Sequence, residues 1–397
     1  MSSMQEILTN KFLEKHLKPY LENSLGLLNV DIVNAFANGE NYSSELLRVR
    51  VAYSSKDGRN QILSLIAKSA MKLESMKSDA KELNFHDCEF NIYCEMLPEI
   101  YKAGFTRKIG PEVYYASSFP TPMILLEDLT PLHYKMQCRH EGLDLEHCLV
   151  ALDKLAYFHA ASVLLYEKNP KLMEKYNKGM YYNNKEMEFL LTIFCKELVN
   201  LCETVPSLQK YYKKLNAIED IEKKICMAGK PSKKFNVLNH GDFWCNNILF
   251  RYTPNGKVDD AVLIDFQMSF FSSPVLDLHH FLTTSLNGYV KDKHVHTILN
   301  FYFDKLISNL NELRVDQNVN REELFNEFKD CAFVALGDMS FGLPLVKASR
   351  RKDAQMVTYL TEHREGSFRH HCFNNPMYIK ELEYLLPFYD NLGIFDL

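Results

Sequence analysis

The segment VLNHGDFWCNNILF, Val237 to Phe250, sets Asp242, Asn246 and Asn247 inside a run that is otherwise apolar, with Val237 and Leu238 before and Ile248 to Phe250 after. Burying carboxylates and amides costs free energy unless partners satisfy them. A little further on, the strand-like AVLI ends in Asp265, a second carboxylate where a buried strand stops. Carboxylate and amide oxygens emerging at strand ends suit Mg²⁺, a hard cation that takes few protein ligands and keeps water and phosphate oxygens in its shell. The chemistry implied is phosphate chemistry. An Asp followed five residues later by an Asn, with a further Asp-Phe after a strand, is the spacing in which kinases place a catalytic Asp and two metal ligands. HGD alone fits equally well a turn in which Gly241 supplies the backbone and Asp242 caps a helix.

The first third of the chain offers independent checks. LLRVRVAY, Leu46 to Tyr53, alternates Leu47, Val49 and Val51 with Arg48 and Arg50, the pattern of a half-buried strand. VDIVNAFANG precedes it, and its Asn38-Gly39 pair predicts a hairpin turn. A third strand, ILSLIAK, ends at Lys68, on the face of Ile62 and Ile66, where a cation needs an anionic partner or a ligand. In LNFHDCEFNIYCEMLPEI, Phe85, Tyr93, Met96 and Ile100 form a helical stripe that Pro98 should end, and Glu89 lies on that stripe. A strand Lys paired with a helix Glu is the ion pair that holds ATP phosphates in kinases. Taken singly, each residue fits a surface-edge charge. The turn GENYSS, with Asn41, Ser43 and Ser44, could cover phosphates with backbone N–H groups and hydroxyls, but with one glycine it fits a plain hairpin turn as well. No GxxxxGK[ST] or GxGxxG occurs, which argues against a P-loop NTPase and a dinucleotide enzyme.

Composition bounds the rest. At 397 residues, 46% hydrophobic and 24% charged, with 15 Gly and 14 Pro, the chain is an ordinary folded protein of roughly two to three domains or lobes. A net charge of −5 without long runs of either sign excludes a general electrostatic hold on nucleic acid or acidic lipid. Ten cysteines with no CxxC pair read as reduced thiols. The N-terminal residues lack a signal-peptide core, and no uninterrupted apolar run approaches about eighteen residues, so a cytoplasmic location is expected. The sequon at Asn41 would then meet no glycosylation enzyme. MILLEDLTP, Met123 to Pro131, reads as a buried strand running into a joint. Beyond it come helices at 145–168, 185–202 and 208–228, strands at FNVLNHGD and AVLIDF around a Pro254–Gly256 turn, and a mainly helical remainder. The expected architecture is α+β and bilobal, a small β-rich lobe over 1–130 and a larger mainly helical lobe over 131–397, with a ligand cleft at the joint.

GENYSS, IAK, the Phe85-Glu89-Tyr93 pattern followed by LP, LLEDL, KLAYFHAAS, HGDFWCNN, LIDFQ and SSPVLDL together resemble the ecdysteroid-kinase-like family, related in fold to choline kinases and aminoglycoside phosphotransferases. The match runs in order from about Gly39 to Ser285. The resemblance implies a protein-kinase-like fold and ATP- and Mg²⁺-dependent phosphorylation of a small-molecule hydroxyl, on an ecdysteroid or another lipophilic alcohol. It implies Asp242 as catalytic base, Asn247 and Asp265 as Mg²⁺ ligands, and Lys68 with Glu89 as the phosphate-holding pair. The backbone from Glu127 to Leu129 corresponds to the hinge that reads the adenine edge. Gln267 stands where protein kinases carry the Gly of DFG. His159 reads as a satisfied core histidine, His240 as a brace for the catalytic loop, and Asp277 as an anchor for backbone near it.

The rival readings are a nucleotide-binding pseudokinase and a choline- or aminoglycoside-type kinase, whose cationic substrates call for an acidic, aromatic-lined pocket. A metallohydrolase on His279, His280, His370 and His371 is remote: the pairs lack HExxH spacing and read as surface or packing histidines. No nucleic acid, membrane or protein partner is indicated.

Overall fold

The computed structural model describes residues 4–21, 24–35, 44–55, 57–70, 85–119, 121–182, 184–317 and 319–396. Strands β1 (Ser24–Asn34), β2 (Ser44–Ser55), β3 (Asn60–Ala70), β4 (Val113–Ser117) and β5 (Met123–Glu127) form an antiparallel sheet in the order β1-β2-β3-β5-β4. β1 and β2 pair as the expected hairpin. Its turn at Asn38-Gly39 lies outside the described residues, as do Asn41, Ser43 and the side chain of Ser44.

The period-two pattern of β2 sorts its side chains as read: Leu47, Val49 and Val51 are buried. They pack with Leu65, Ala67, Met123 and Leu125 and with Leu13 and Leu17 of the helix Asn10–Leu17, which closes this face of the sheet. Lys68 shares the opposite face with Ile62 and Ile66. That face is not the one beneath the N-terminal helix: Ile62 is exposed, while Ile124 and Leu126, opposite Lys68 and Ile66, belong to the large core formed with the rest of the chain. The strand thus aims a lysine toward the C-terminal part because the neighbouring residues satisfy the sheet's own core.

The helix expected to stop at Pro98 continues. It runs Phe85–Asn91, passes through a π-turn at Ile92–Met96 and resumes as Leu97–Lys102. Pro98 falls in the first turn of the resumed helix, where a missing N–H is tolerated, after an i→i+5 register shift whose bond runs from Leu97 N–H to the Ile92 carbonyl.

Beyond β5 the chain is mainly helical. Helix Leu145–Lys168 starts on an Asp144 cap and is the one helix, among the described residues, long and apolar enough to cross a membrane; most of it is buried against the protein core. The stretch expected as one helix over 208–228 is two, Gln209–Asn216 and Ile221–Ala228, separated where Asp220 takes a left-handed conformation at φ 51°. Five short strands carry the loops that matter: β6 (Lys135–Met136), β7 (Val237–Asn239), β8 (Ile248–Tyr252), β9 (Val258–Leu263) and β10 (Phe270–Ser272). They form a β6-β8-β9 sheet and a β10-β7 ladder, with the Pro254–Gly256 turn joining β8 to β9. Residues 240–247 and 264–269 are therefore two loops leaving adjacent ladders, held together where Ile264 N–H donates to the Asn247 carbonyl at 3.0 Å.

Leu13 is fully buried against the sheet. Leu13→Ala should lower the unfolding free energy by about 2–5 kcal/mol, read from urea transitions; a loss under about 0.5 kcal/mol would show that the N-terminal helix is not part of this core.

Candidate active site

Three chain segments meet at Lys68. Its Nζ lies 2.8 Å from Glu89 Oε2 on the helix and 2.7 Å from Asp265 Oδ1, 197 residues away in sequence. Lys68 and Glu89 are nearly inaccessible, at 7% and 2%. Burial works against the lysine's charge, but Asp265 and Glu89 more than offset it and raise its pKa. The same burial raises that of Glu89, with Lys68 opposing and Asp265 adding to the shift. Two carboxylates share one ammonium, so the cluster has negative charge to spare, and a divalent cation beside Asp265 fits that charge and the oxygen-rich donor set. Among the described residues no group of three or more His, Cys, Asp or Glu could by itself hold a metal ion.

The second half of the site is the loop after β7. Asp242 Oδ2 accepts from Asn247 Nδ2 at 2.8 Å, and the same amide donates to the Asp242 carbonyl at 2.9 Å. Asn247 is thereby oriented with its amide nitrogen on Asp242 and its oxygen left for another partner. Gly241 is required by geometry. At φ 82°, a Cβ there would stand 1.9 Å from the Met268 carbonyl oxygen of the neighbouring loop. Asp265 also has positive φ, 66°, a conformation that Asp tolerates better than most residues.

A buried scaffold holds this loop. Asp277, in the first turn of helix Val275–Thr284, accepts from His240 N–H at 2.6 Å, Gly241 N–H at 2.9 Å and His159 Nε2 at 3.1 Å. Burial alone would raise its pKa; the bonds and charge of His159, with His240 and the backbone, hold it below the usual carboxylate range. His159 is the satisfied core histidine expected, its Nδ1 facing Tyr302 Oη at 2.5 Å. His240 braces as expected: Nε2 donates to the Ile264 carbonyl and Nδ1 accepts from Asp242 N–H, and burial lowers its pKa. Phe266 is wedged against Tyr93, Phe158 and His240, which seats the Asp265 loop.

At the expected hinge, Glu127 N–H is taken by the Glu112 carbonyl and Asp128 N–H by the Ser64 carbonyl. Among the described residues, the N–H of Leu129 meets no acceptor. The Glu127 side chain turns away to Lys108 and the Glu112 N–H. Asp128, overlooked in the sequence, ties the turn down through Arg48 Nε at 2.9 Å, Ser64 Oγ at 2.7 Å and Thr130 N–H at 3.0 Å.

A family model for the ecdysteroid kinase-like family matches residues 38–315, about 70% of the chain. The chain belongs to the ecdysteroid kinase-like family. As a member it is a small-molecule kinase, with an antiparallel N-terminal sheet and a mainly helical C-terminal part. Similar solved structures include the GDP complex of aminoglycoside 2'-phosphotransferase-IIIa, at 13% identity over 96% of this chain and 99% of that one with TM-score 0.45. A glucosamine kinase is similar at 12% identity over 84% and 82% of the two chains, TM-score 0.40. No curated protein matches.

Lys68, Glu89 and Asp265, singled out in the sequence, thus form one ion cluster, and Asp242 and Asn247 one hydrogen-bonded pair beside it. His280 is a correction. Expected to pack or lie at the surface, it stands with Nε2 3.2 Å from Asp242 Oδ1, off the line of a good hydrogen bond, and with Nδ1 3.1 Å from Asp338 Oδ1. Burial opposes its charge, but Asp338 and Asp242 outweigh this and push its pKa up to about 10. His279 does pack, stacked on Phe328 and bonded to its carbonyl. Asp338 carried the same signal as Asp242, a lone carboxylate in the apolar run AFVALGDMSFGLPL.

Gly241→Ala should abolish turnover and lower the melting temperature by several degrees, whereas Gly256→Ala, in open space at the β8–β9 turn, should leave turnover intact; equal behaviour of the two would refute the close approach at Met268. A raised histidine pKa contributes stability that is complete below the unfolded value of about 6.5 and is lost as pH climbs through about 10. The melting temperature of the wild type minus that of His280→Gln should accordingly shrink between pH 6.5 and pH 10.

Proposed function

We propose that the protein transfers the γ-phosphate of ATP to a hydroxyl of a lipophilic alcohol, an ecdysteroid or a compound like it, in the cytosol. The observation that carries this is the convergence of Lys68, Glu89 and Asp265 on one point beside the Asp242–Asn247 pair. In this reading residues 1–130 hold the nucleotide and 131–397 supply the catalytic loop and the acceptor pocket. The Leu129 N–H reads the adenine edge, and Lys68, kept charged and steered by Glu89, holds the α- and β-phosphates. Asn247 and Asp265 would hold Mg²⁺, which when bound neutralises phosphate charge. Asp242 orients the acceptor hydroxyl and takes its proton. With burial opposed by His280, His240 and Asn247, the Asp242 pKa is lowered. Orientation therefore counts for more than basicity, which suits a loose phosphoryl-transfer transition state.

The preference for an uncharged acceptor rests on the ecdysteroid kinase-like family to which the chain belongs.

Incubation of the protein with MgATP and radiolabelled γ-phosphate should give a labelled product with neutral sterols and none with choline or amino sugars. Product from amino sugars alone would overturn the acceptor class. Asp265→Ala should remove the magnesium-dependent part of the ATP-induced thermal shift and abolish turnover. Asp242→Asn should keep that shift and lower turnover by about 10²- to 10⁴-fold. Wild-type rates in either variant would show the roles to be wrong.

A further inference from the structure

Helix Val275–Thr284 carries two polar side chains toward the catalytic loop, one turn apart. Asp277 grips its backbone; His280 faces its carboxylate. Behind His280, Asp338 lies in the π-turn Asp338–Gly342 and is 2% exposed. Its Oδ1 accepts from Tyr181 Oη at 2.7 Å and faces His280 Nδ1, while its Oδ2 stands 3.4 Å from Thr283 Oγ1. Tyr181 reaches Asp338 only because residue 337 is glycine: a Cβ there would stand 2.8 Å from Tyr181 Cζ. These groups line a cavity of about 30 Å³ against Gly241 and Asp277.

Both ring nitrogens of His280 therefore face carboxylate oxygens. Carboxylates only accept, so a neutral ring would turn a lone pair toward one of them. The geometry favours the imidazolium, with two anions on one cation. The second oxygen of Asp242 is already taken by Asn247. With Asn247 bonded to one oxygen and the His280 ring 3.2 Å from the other, rotation of the Asp242 carboxylate is opposed from both sides.

We infer that His280, backed by Asp338 and Tyr181, is a positioning residue that locks the Asp242 carboxylate against rotation as a buried imidazolium. This rests on the reading of Asp242 given above and adds a residue to it. The ring contacts no reacting atom in this arrangement: it fixes the direction in which Asp242 presents its carboxylate oxygens. Its charge is set by the groups around it. From the catalytic loop these are Asp242, His240 and Asn247; from the π-turn, Asp338; from the segment before Lys185, Tyr181; from its own helix, Asp277.

Two measurements on the full chain test this. With ¹⁵N-histidine labelling, the His280 signals, assigned by their loss in His280→Gln, should show both ring nitrogens protonated at pH 8. In Asp338→Asn the titration midpoint should fall by at least one pH unit. A ring already neutral at pH 7 in the wild type overturns the proposal whatever the activity. The second measurement is hydrolysis of MgATP with water as acceptor, alongside the MgATP dissociation constant from calorimetry. His280→Phe should lose ten- to a hundredfold in kcat with MgATP affinity within twofold. His280→Gln, which keeps one N–H for Asp242, should recover part of the loss, and Asp338→Asn should move the alkaline limb of kcat to lower pH. Unchanged kcat in His280→Phe overturns the role, whereas a wild type that binds no MgATP overturns the kinase reading on which it rests.

Discussion

A single ammonium group holds the site in register. Lys68 sits at the end of a strand whose alternate residues are committed to another core, so its side chain leaves the sheet on the face toward the C-terminal part of the chain. There it meets one carboxylate from a helix and one from a loop nearly two hundred residues later. An unpaired lysine at this depth would cost several kcal/mol; the pairing removes that cost and links three segments that share no continuous sheet or helix. Because the two acids outnumber the base, the cluster is not electrically closed. Its surplus is negative, and it lies where a metal ion carrying phosphates would balance it.

Around this cluster, rigidity comes from buried polar groups that satisfy one another. Asp277 takes two backbone N–H groups and an imidazole, His159 passes the chain of bonds to Tyr302, and Ser162 receives Leu238 N–H at 2.9 Å. Each of these members has a partner, so the network orders the loop. Each of the two loops includes a backbone position at positive φ, Gly241 in one and Asp265 in the other. Such positions persist where the surroundings over-determine them, as the backbone approach at Met268 does here.

Much of this was legible from polar residues standing in apolar places. Asp242, Asn247, Asp265, Lys68 and Glu89 each broke a hydrophobic pattern, and each turned out to lie at one centre. The same rule applied to Asp338, in a longer apolar run, and it escaped notice because no kinase spacing drew attention to it. His280 was hidden by its neighbour: two adjacent histidines look alike in sequence, yet a helix turns successive residues by about 100°. One therefore stacks on Phe328 while the other meets Asp242. The helix boundaries at Pro98 and Asp220 were missed for local reasons, a π-turn that accommodates the proline and a left-handed aspartate that interrupts the chain.

Taken alone, the order of residues determined the elements, the two-part α+β layout and the five residues from which the centre is built. Those follow from periodicity and from the cost of burying charge, which act over a few neighbours at a time. Only the tertiary structure decided which charges are partners: that Lys68 is shared by two acids, that Asp128 ties the turn after β5 to Arg48, and that His280 stands between two carboxylates. Pairing energies depend on distances of about 3 Å between groups far apart in the chain. Such distances are set by how helices and sheets pack, which no local pattern encodes.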